Sequence, residues 1–460
     1  MSVTSTAGPG VRTGGIDGLI AEQEAAFLRR QPRSAALVAR ARRSLAGGAT
    51  SSWQIAQPQA VWLTHGAGSK IYDVDGTEYV DLHGGYGVSL VGHAHPAVVR
   101  AVTERVARGT HFAQPTEDAV VVAEELARRF GLPLWRFGNS GTEATMDAVH
   151  LMRAATGRDL VIKVEGCYHG HHDSVEVSIL PEADEAGPAD RPHAVPGNTG
   201  IPKAVVDLVA VVGFNDVAAV ARVLDEHPGR VAGMIVEPVM MNAGIIPPDP
   251  GYLEAVRDLL HGDGALLAFD EVKTGLTVSP GGATQALGVT PDIICLAKAL
   301  GGGLPVAAIG GTAEVMGLIE DGTYEQVGTF NGNPLSMAAA RATLLEALTP
   351  EAYARIERLR TRMHEQVTAV LAEHDLPWHV VTVGAKGCVS FLDRPVRNLR
   401  DFHDVDERLG HLHWLVQHNG GVFLPPWGKV EQWLLSVQHE EEDADRFVAN
   451  VATFAGLVKG

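Results

Sequence analysis

The chain has 460 residues, 45% hydrophobic and 20% charged, a composition typical of globular proteins and a length sufficient for two domains. Lys and Arg number 37 against 55 Asp and Glu, a formal net charge of −18, which argues against nucleic acid or an anionic membrane as a partner. The apolar runs are far shorter than the roughly 20 residues that a membrane-spanning helix needs. Three scattered cysteines, Cys167, Cys295 and Cys388, give no disulfide framework and favour a cytoplasmic location.

The sequence pattern of the N-terminal region predicts a short tail, followed by helices and a hairpin. Residues 1–15 are small and polar, without the apolar core of a signal peptide, and are expected to form a flexible tail. Helical spacing from residue 16 to about residue 45, interrupted at Pro32, predicts one or two helices. The Asp75-Gly76 pair within alternating residues predicts a hairpin turn; a calcium loop is excluded because Gly76 comes too early and no glutamate closes it. We expect residues 16–94 to pack with the small domain.

Residues 95–333 predict a large α/β domain. Helical segments alternate with Val- and Ile-rich runs, which is typical of a mostly parallel sheet covered on both faces. The predicted strands are 160–164, 206–212, 231–236, 265–269 and 293–296. Residues 334–460 begin with helices, 334–348 and 352–374, continue with short strands and end in a helix, 441–458, which predicts a smaller α+β domain. The Pro- and Gly-rich stretch 180–202 is either a lid over a site or a disordered surface loop.

The segment 137–144 reads FGNSGTEA and precedes a helical pattern. A glycine turn with two hydroxyls at a helix N-terminus offers backbone N–H groups and a helix dipole to a phosphate. The same residues are equally suited to simple helix capping by Ser140 or Thr142. From these residues alone the two interpretations remain open.

Two polar residues next to apolar runs are candidate catalytic residues. Asp270 follows the apolar run ALLAF, so it is expected at the carboxyl edge of the sheet, where a carboxylate can pair with a protonated ring nitrogen or cap a helix. Lys298 lies among apolar residues and precedes three glycines. Burial would lower the pKa of its amine and favour Schiff-base formation, although a lysine extending to the surface is the alternative.

The segment 166–173 reads GCYHGHHD. Three histidines and an aspartate raise the possibility of a metal site, but Gly170 breaks the helical spacing and HExxH is absent, so we predict no metal. Tyr168 could instead present its ring face to a planar ligand.

Taken in order, SGTEA, YHGH, EPV, FDEV, LAKALGGGLP and GTFNGNPLSMAAA resemble the class III aminotransferases that use pyridoxal phosphate. Within that family the chain is most similar to the glutamate-1-semialdehyde 2,1-aminomutases, and the similarity runs nearly end to end. The resemblance implies an α/β fold of type I, with a mostly parallel seven-stranded sheet in the large domain and a smaller α+β domain. It also implies a homodimer with a shared active site.

The resemblance assigns catalytic roles to three residues. Lys298 would form the Schiff base with the cofactor, Asp270 would pair with the pyridine nitrogen, and Tyr168 would lie over the ring. The cofactor would then accept electrons while Lys298 moves a proton as general base and acid.

The resemblance also assigns the remaining cofactor contacts. The phosphate would be bound by Ser140, Gly141 and Thr142, joined by Thr329 from the neighbouring subunit. Asn242 falls where the family has a residue close to the phenolic oxygen, and Glu237 is expected to support the site without taking part in the chemistry.

The chain departs from the aminomutases at one position. Where they carry an arginine that anchors the substrate carboxylate, this chain has Gln54, next to Trp53. A glutamine replaces a bidentate guanidinium only in part, so a bulkier, less charged or more aromatic substrate is predicted. The leading hypothesis is therefore an aminotransferase acting between an amine donor and a carbonyl acceptor; the alternative is an aminomutase, an isomerase that moves the amino group within one molecule.

Overall fold

A computed structural model describes residues 15–426, 429 and 432–459. These residues divide into two compact units. The large unit comprises residues 96–353 and 396–403, and the small unit comprises the segments up to residue 95, 354–395 and from 404 onward. The tail predicted for residues 1–15 lies outside the described residues, except for Gly15.

The N-terminal part of the small unit contains three helices and a three-stranded meander. Its elements are α1 (Ile16–Arg30), α2 (Pro32–Ala41), β1 (Leu63–Ala67), β2 (Lys70–Asp73), β3 (Glu78–Asp81) and the short α3 (Gly84–Gly87). Pro32 occupies the first turn of α2, where its missing N–H costs nothing. β2 and β3 pair in antiparallel register, so the predicted hairpin is present; residues 74–77 connect its strands.

The large unit is built on a seven-stranded sheet, as predicted. Its strands are β4 (Leu134–Gly138), β5 (Leu160–Val164), β6 (Val209–Val212), β7 (Val231–Val236), β8 (Leu266–Asp270), β9 (Ile293–Leu296) and β10 (Ala307–Gly311). The spatial order is β4-β10-β9-β8-β7-β5-β6. β10 runs antiparallel to both of its neighbours, while the other pairs are parallel. The sheet is thus mixed, with one reversed strand.

Helices flank this sheet. They are α4 (Pro96–Val106), α5 (Glu117–Phe130), α6 (Gly141–Thr156), α7 (Lys203–Val206), α8 (Val217–Glu226), α9 (Tyr252–Asp263), α10 (Gly275–Val278), α11 (Gly282–Leu287), α12 (Ala313–Glu320) and α13 (Pro334–Ala342). α6 packs on the central strands, and its buried face joins the main core through Ala148, Leu151 and Met152. The sheet and α6 together hold one edge of the sheet in place. The predicted site residues lie at this edge, where the strands end.

The C-terminal part adds four helices and four short strands. They are α14 (Pro350–Glu373), β11 (His379–Val383), β12 (Lys386–Ser390), α15 (Leu399–His403), α16 (Glu407–Asn419), β13 (Val422–Phe423), β14 (Gln432–Leu434) and α17 (Glu441–Lys459). β13 pairs with β3 in parallel register, which joins both ends of the chain in the small unit. Across the described residues, no helix is long and apolar enough to cross a membrane.

The domain boundary differs from the predicted one at residue 334. α13 belongs to the large unit because it packs against α4 and α5, and the following turn, Thr343–Ala347, is π-helical. The small unit resumes at Ala354, within α14. Helical periodicity alone could not reveal this division, since α13 and α14 have similar patterns.

The stretch 180–202 is irregular, and its middle is held by contacts with an arginine. Arg400 forms a bidentate ion pair with Glu165 and donates hydrogen bonds to the carbonyls of Ala186 and Gly187. Ala186 is completely buried. An arginine from α15, more than 200 residues away in sequence, therefore fixes the middle of this stretch.

Candidate active site

The N-terminus of α6 is held by a capping box that leaves backbone donors available. Ser140 caps the helix, and Glu143 completes a capping box by accepting the backbone N–H groups of Asn139, at 2.5 Å, and Ser140, at 2.8 Å. The next two N–H groups, of Gly141 and Thr142, have no acceptor within the helix. The capping interpretation is confirmed. Because capping leaves these donors and the helix dipole available, phosphate binding at this helix end stays a prediction.

Two glycines allow neighbouring segments to approach this helix end. A Cβ at Gly170, whose φ is +96°, would lie 2.5 Å from Oγ1 of Thr142. A Cβ at Gly141 would lie 3.0 Å from the side chain of Val272. The YHGH segment and the turn after β8 therefore both lie against the start of α6. Three of the segments singled out in the sequence meet at one edge of the sheet.

Asp270 lies buried at the end of β8 and is held in a fixed orientation. Its Oδ1 accepts the backbone N–H of Val272 at 2.9 Å, and its Oδ2 lies 2.7 Å from Nδ1 of His169, which donates to it. His169 is itself buried, and its Nε2 has no partner among the described residues. The adjacent Glu271 is engaged elsewhere, since it caps α11. The contact of His169 with Asp270 was not predicted from the sequence, where His169 was weighed only as a possible metal ligand.

Lys298 follows β9, the strand next to β8. Because Asp270 pairs in register with Cys295, the lysine extends from the same edge of the sheet as the aspartate. Its φ of +47° lies in the left-handed region, which costs a residue other than glycine roughly 1–2 kcal/mol. Burial lowers the pKa of the Lys298 amine, while the charges of Asp270 and Glu237 oppose that shift. The amine is therefore more often in its nucleophilic, neutral form than an exposed lysine.

Glu237 connects two further predicted residues. This buried carboxylate follows β7, and its Oε1 accepts hydrogen bonds from the backbone N–H of Tyr168, at 2.9 Å, and from Nδ2 of Asn242, at 2.7 Å. Its Oε2 accepts the backbone N–H of Met241 at 2.8 Å. Burial raises the pKa of the partly buried Tyr168 phenol, so the ring is neutral at physiological pH. Glu237 therefore joins Tyr168, Met241 and Asn242 through hydrogen bonds, and its role in supporting the site stays a prediction.

Thr329 lies on an exposed turn of the large unit. Its carbonyl lies 2.7 Å from Nε2 of His111, and in the same turn Oδ1 of Asn331 accepts a hydrogen bond from Nδ2 of Asn139 at 3.0 Å. Asn139 directly precedes Ser140 in the chain. Within one chain the turn therefore contacts the segment before α6 through Asn331, while Thr329 itself is exposed.

Trp53 and Gln54 lie in the small unit, on a pocket of about 540 Å³. Such a volume lies in the range of small-molecule sites. Five aromatic residues line the pocket: Trp53, Trp62, Tyr86, Trp414 and Phe423. No lysine or arginine is found among the described residues that line it. Gln54 Oε1 accepts hydrogen bonds from the hydroxyl of Thr50, at 2.6 Å, and from its backbone N–H, at 3.2 Å.

Comparison with known proteins agrees with this geometry. Residues 53–432 match the family model described as aminotransferase class-III. A glutamate-1-semialdehyde 2,1-aminomutase 2 of Brevibacillus brevis is 36% identical over 423 residues, covering 90% of this chain and 96% of the relative.

Two solved structures are also similar. An omega-transaminase from Sphaerobacter thermophilus is 34% identical, with a TM-score of 0.87 and coverage of 94% of this chain and 100% of the other. A glutamate-1-semialdehyde-aminomutase (K286A) from Pseudomonas aeruginosa in complex with PMP is 29% identical, with a TM-score of 0.90 and coverage of 98% and 100%. The chain therefore belongs to the class III aminotransferase family; it is an enzyme with the type I fold, and its cofactor is pyridoxal phosphate.

The residues at this edge of the sheet fit that cofactor. A helix N-terminus with available N–H groups suits the phosphate, and a buried carboxylate suits a protonated ring nitrogen. An amine with a lowered pKa suits attachment to an aldehyde. All three groups belong to the large unit.

Proposed function

We propose that the enzyme transfers an amino group between two molecules, from an amine or amino acid donor to a carbonyl acceptor. The observation that carries this proposal is the pocket around Trp53 and Gln54, which is rich in aromatic residues, has no lysine or arginine among its described lining residues and contains one acidic residue, Asp81, paired with His93. The carbonyl of Gln54 is already occupied by Thr50, which leaves its amide N–H₂ group as the available donor. Such a pocket favours an apolar or aromatic group over a carboxylate.

In the proposed mechanism, Lys298 is the residue that attaches to the cofactor and later moves a proton. When bound, pyridoxal phosphate supplies the aldehyde for attachment and a ring that accepts electrons. Asp270, fixed by His169, holds the proton on the ring nitrogen. Tyr168 would lie over the ring, and the amide of Asn242 would donate towards the phenolic oxygen.

Three further residues complete the proposed cofactor site. The phosphate is bound by Ser140, Gly141 and Thr142 at the start of α6. Their donors are fixed before binding by the capping box, so little ordering is required when the anion arrives.

A two-step assay tests whether the transfer is between molecules. The loaded enzyme is first incubated with amine donors until the absorbance of the bound aldehyde form is lost, and the excess donor is removed. Pyruvate or 2-oxoglutarate is then added. Return of the aldehyde form, with release of a new amine, supports the proposal; conversion of glutamate-1-semialdehyde without any acceptor, together with no response to either acid, would instead establish the aminomutase alternative.

The substitution Gln54→Arg is expected to change substrate preference. A guanidinium can pair with a carboxylate in a bidentate manner, so the ratio of kcat/KM for a carboxylated donor to that for its decarboxylated counterpart should rise about tenfold. Gln54→Met serves as the matched control, since it removes the amide without adding charge and should leave that ratio near the parent value. An unchanged ratio in Gln54→Arg would exclude Gln54 from the substrate site.

We also propose that the enzyme is a homodimer whose partner contributes Thr329. Apolar side chains are unusually exposed around this turn: Val327 is 79% exposed and Phe330 is 59% exposed, and the ring of Phe330 lies 5.0 Å from that of His111. Exposed apolar clusters of this kind are typical of protein interfaces. The enzyme is further proposed to act in the cytoplasm, since all three cysteines are free and buried.

The substitution Phe330→Asp is expected to dissociate this dimer. A charge within a closely packed apolar interface remains unpaired and costs several kcal/mol, so light scattering after size exclusion should detect monomers with weakened cofactor binding. Leu345→Asp, at an exposed apolar residue outside this cluster, is the control and should remain dimeric. A Phe330→Asp protein with the parent mass would argue against an interface at this turn.

A further inference from the structure

A buried lysine, Lys163, lies near the end of β5, whose other four residues are apolar. Its side chain is completely buried, which is costly for an amine unless it is hydrogen-bonded. Its Nζ donates to the carbonyl of Cys167 at 2.6 Å and to that of Val164 at 3.1 Å. The chain turns between these two residues, since the N–H of Cys167 donates to the carbonyl of Val164 at 3.3 Å. The amine of Lys163 therefore binds both ends of the turn that follows β5.

The peptide unit between Cys167 and Tyr168 is held on both of its sides. Its carbonyl oxygen accepts the hydrogen bond from Lys163, and its N–H, which belongs to Tyr168, donates to Oε1 of Glu237 at 2.9 Å. A trans peptide unit is planar, and its C=O and N–H point in opposite directions. Two partners on opposite sides therefore fix the rotation of this plane about the chain. That rotation sets the direction in which the side chain of Tyr168 leaves the backbone.

The residue after Tyr168 is held as well. His169 donates from Nδ1 to Oδ2 of Asp270 at 2.7 Å, so Tyr168 lies between two anchored positions. Lys163 belongs to β5, Glu237 follows β7 and Asp270 ends β8, and these three strands are adjacent in the sheet. Each strand thus supplies one anchor to consecutive residues of the segment that carries the tyrosine.

We propose that Lys163 is a positioning residue of the active site, which orients Tyr168 towards the cofactor by binding the carbonyl of Cys167. This inference rests on the proposed role of Tyr168, whose ring would lie over that of pyridoxal phosphate. The amine of Lys163 acts on the backbone. Its loss should displace the ring of Tyr168 without removing any group that is proposed to bind the cofactor.

A double-mutant cycle tests whether Lys163 acts through Tyr168. The full-length apoprotein of each variant is titrated with pyridoxal phosphate, and the Kd is obtained from the absorbance of the bound cofactor. Lys163→Met should raise this Kd about tenfold, which corresponds to the loss of one aromatic contact, and should change the circular dichroism of the bound cofactor. In a Tyr168→Ala background the same substitution should change the Kd by less than about twofold, since the ring is already absent.

Lys386→Met is the matched control, because Lys386 is also a buried lysine in a strand, β12 of the small unit. It should lower thermal stability without changing the Kd or the dichroism. Lys163→Gln keeps a donor on a shorter side chain and should give an intermediate Kd; it replaces Lys163→Met in the cycle if that variant unfolds.

An equal rise in the Kd with and without Tyr168 would overturn the proposal, because the effect would then not pass through the ring. A Kd that Tyr168→Ala alone leaves unchanged would refute the stacking role of Tyr168 and this proposal with it. Cofactor binding requires no amino transfer, so a failed acceptor assay would refute the proposed transfer between molecules and leave this result intact.

Discussion

Replacing Lys298 with alanine is expected to lower kcat/KM by about 10⁴-fold or more, because one side chain provides both the covalent attachment and the proton transfer. The cofactor should still bind, since the start of α6 and Asp270 remain in place, but without a covalent bond to the chain. Reduction with borohydride followed by peptide mapping measures this directly. The parent protein should carry the cofactor mass on the peptide containing Lys298, and the variant should carry none there.

Peptide mapping must also separate Lys298 from Lys273, a buried lysine three residues after Asp270 whose Nζ donates to Oδ1 of Asn242 at 2.7 Å. The pKa values of both amines are lowered by burial, so a cofactor attached to Lys273 in the variant would reveal a second reactive amine in the site. Lys203→Ala on the exposed surface is the control and should keep the parent rate and the parent labelling. A Lys298→Ala enzyme that turns over an amine at the parent rate would contradict the assignment.

Much of the large unit could be predicted because its strands are buried on both faces. The apolar runs predicted as strands at 160–164, 231–236 and 293–296 have the same bounds as the observed β5, β7 and β9. β4 and β10 were not predicted, since LWRFG and AAIGG are short and contain glycine. Those glycines are weak strand formers in isolation. The pairing of β10 between β4 and β9 depends on tertiary contacts that have no local signal.

The site was predictable where one residue type at one sequence position determines the chemistry. Asp270 could be singled out because it ends an apolar run, and Lys298 because it lies among apolar residues before three glycines. The contacts of the supporting residues could not be predicted, because they join residues distant in sequence: His169 lies 101 residues before Asp270, and Tyr168 lies 69 residues before Glu237. A polar residue directly after β7 was the available signal for Glu237, since the carboxyl ends of parallel strands meet at one edge.

Replacing Asp270 with asparagine is expected to lower kcat by about 10²–10³-fold while leaving the covalent attachment intact. The substitution preserves shape and keeps an acceptor for Val272 or His169, but it removes the negative charge proposed to hold a proton on the ring nitrogen. A preorganised electrostatic partner of the reacting group typically contributes this amount. Stopped-flow measurement of the first half-reaction should show the loss, with the absorbance of the bound cofactor retained.

Asp292→Asn provides the matched control. Asp292 also flanks a strand, but it lies at the start of β9, at the opposite end from Lys298, where its Oδ2 accepts the backbone N–H of Leu267 at 2.8 Å. Its substitution should affect thermal stability alone and leave the half-reaction unchanged. Asp270→Glu keeps the charge at a displaced position and should fall between the parent and Asp270→Asn. If Asp270→Asn instead reacted within threefold of the parent, the charge of Asp270 would not be required, and its contact with His169 would serve only to hold the edge of the sheet together.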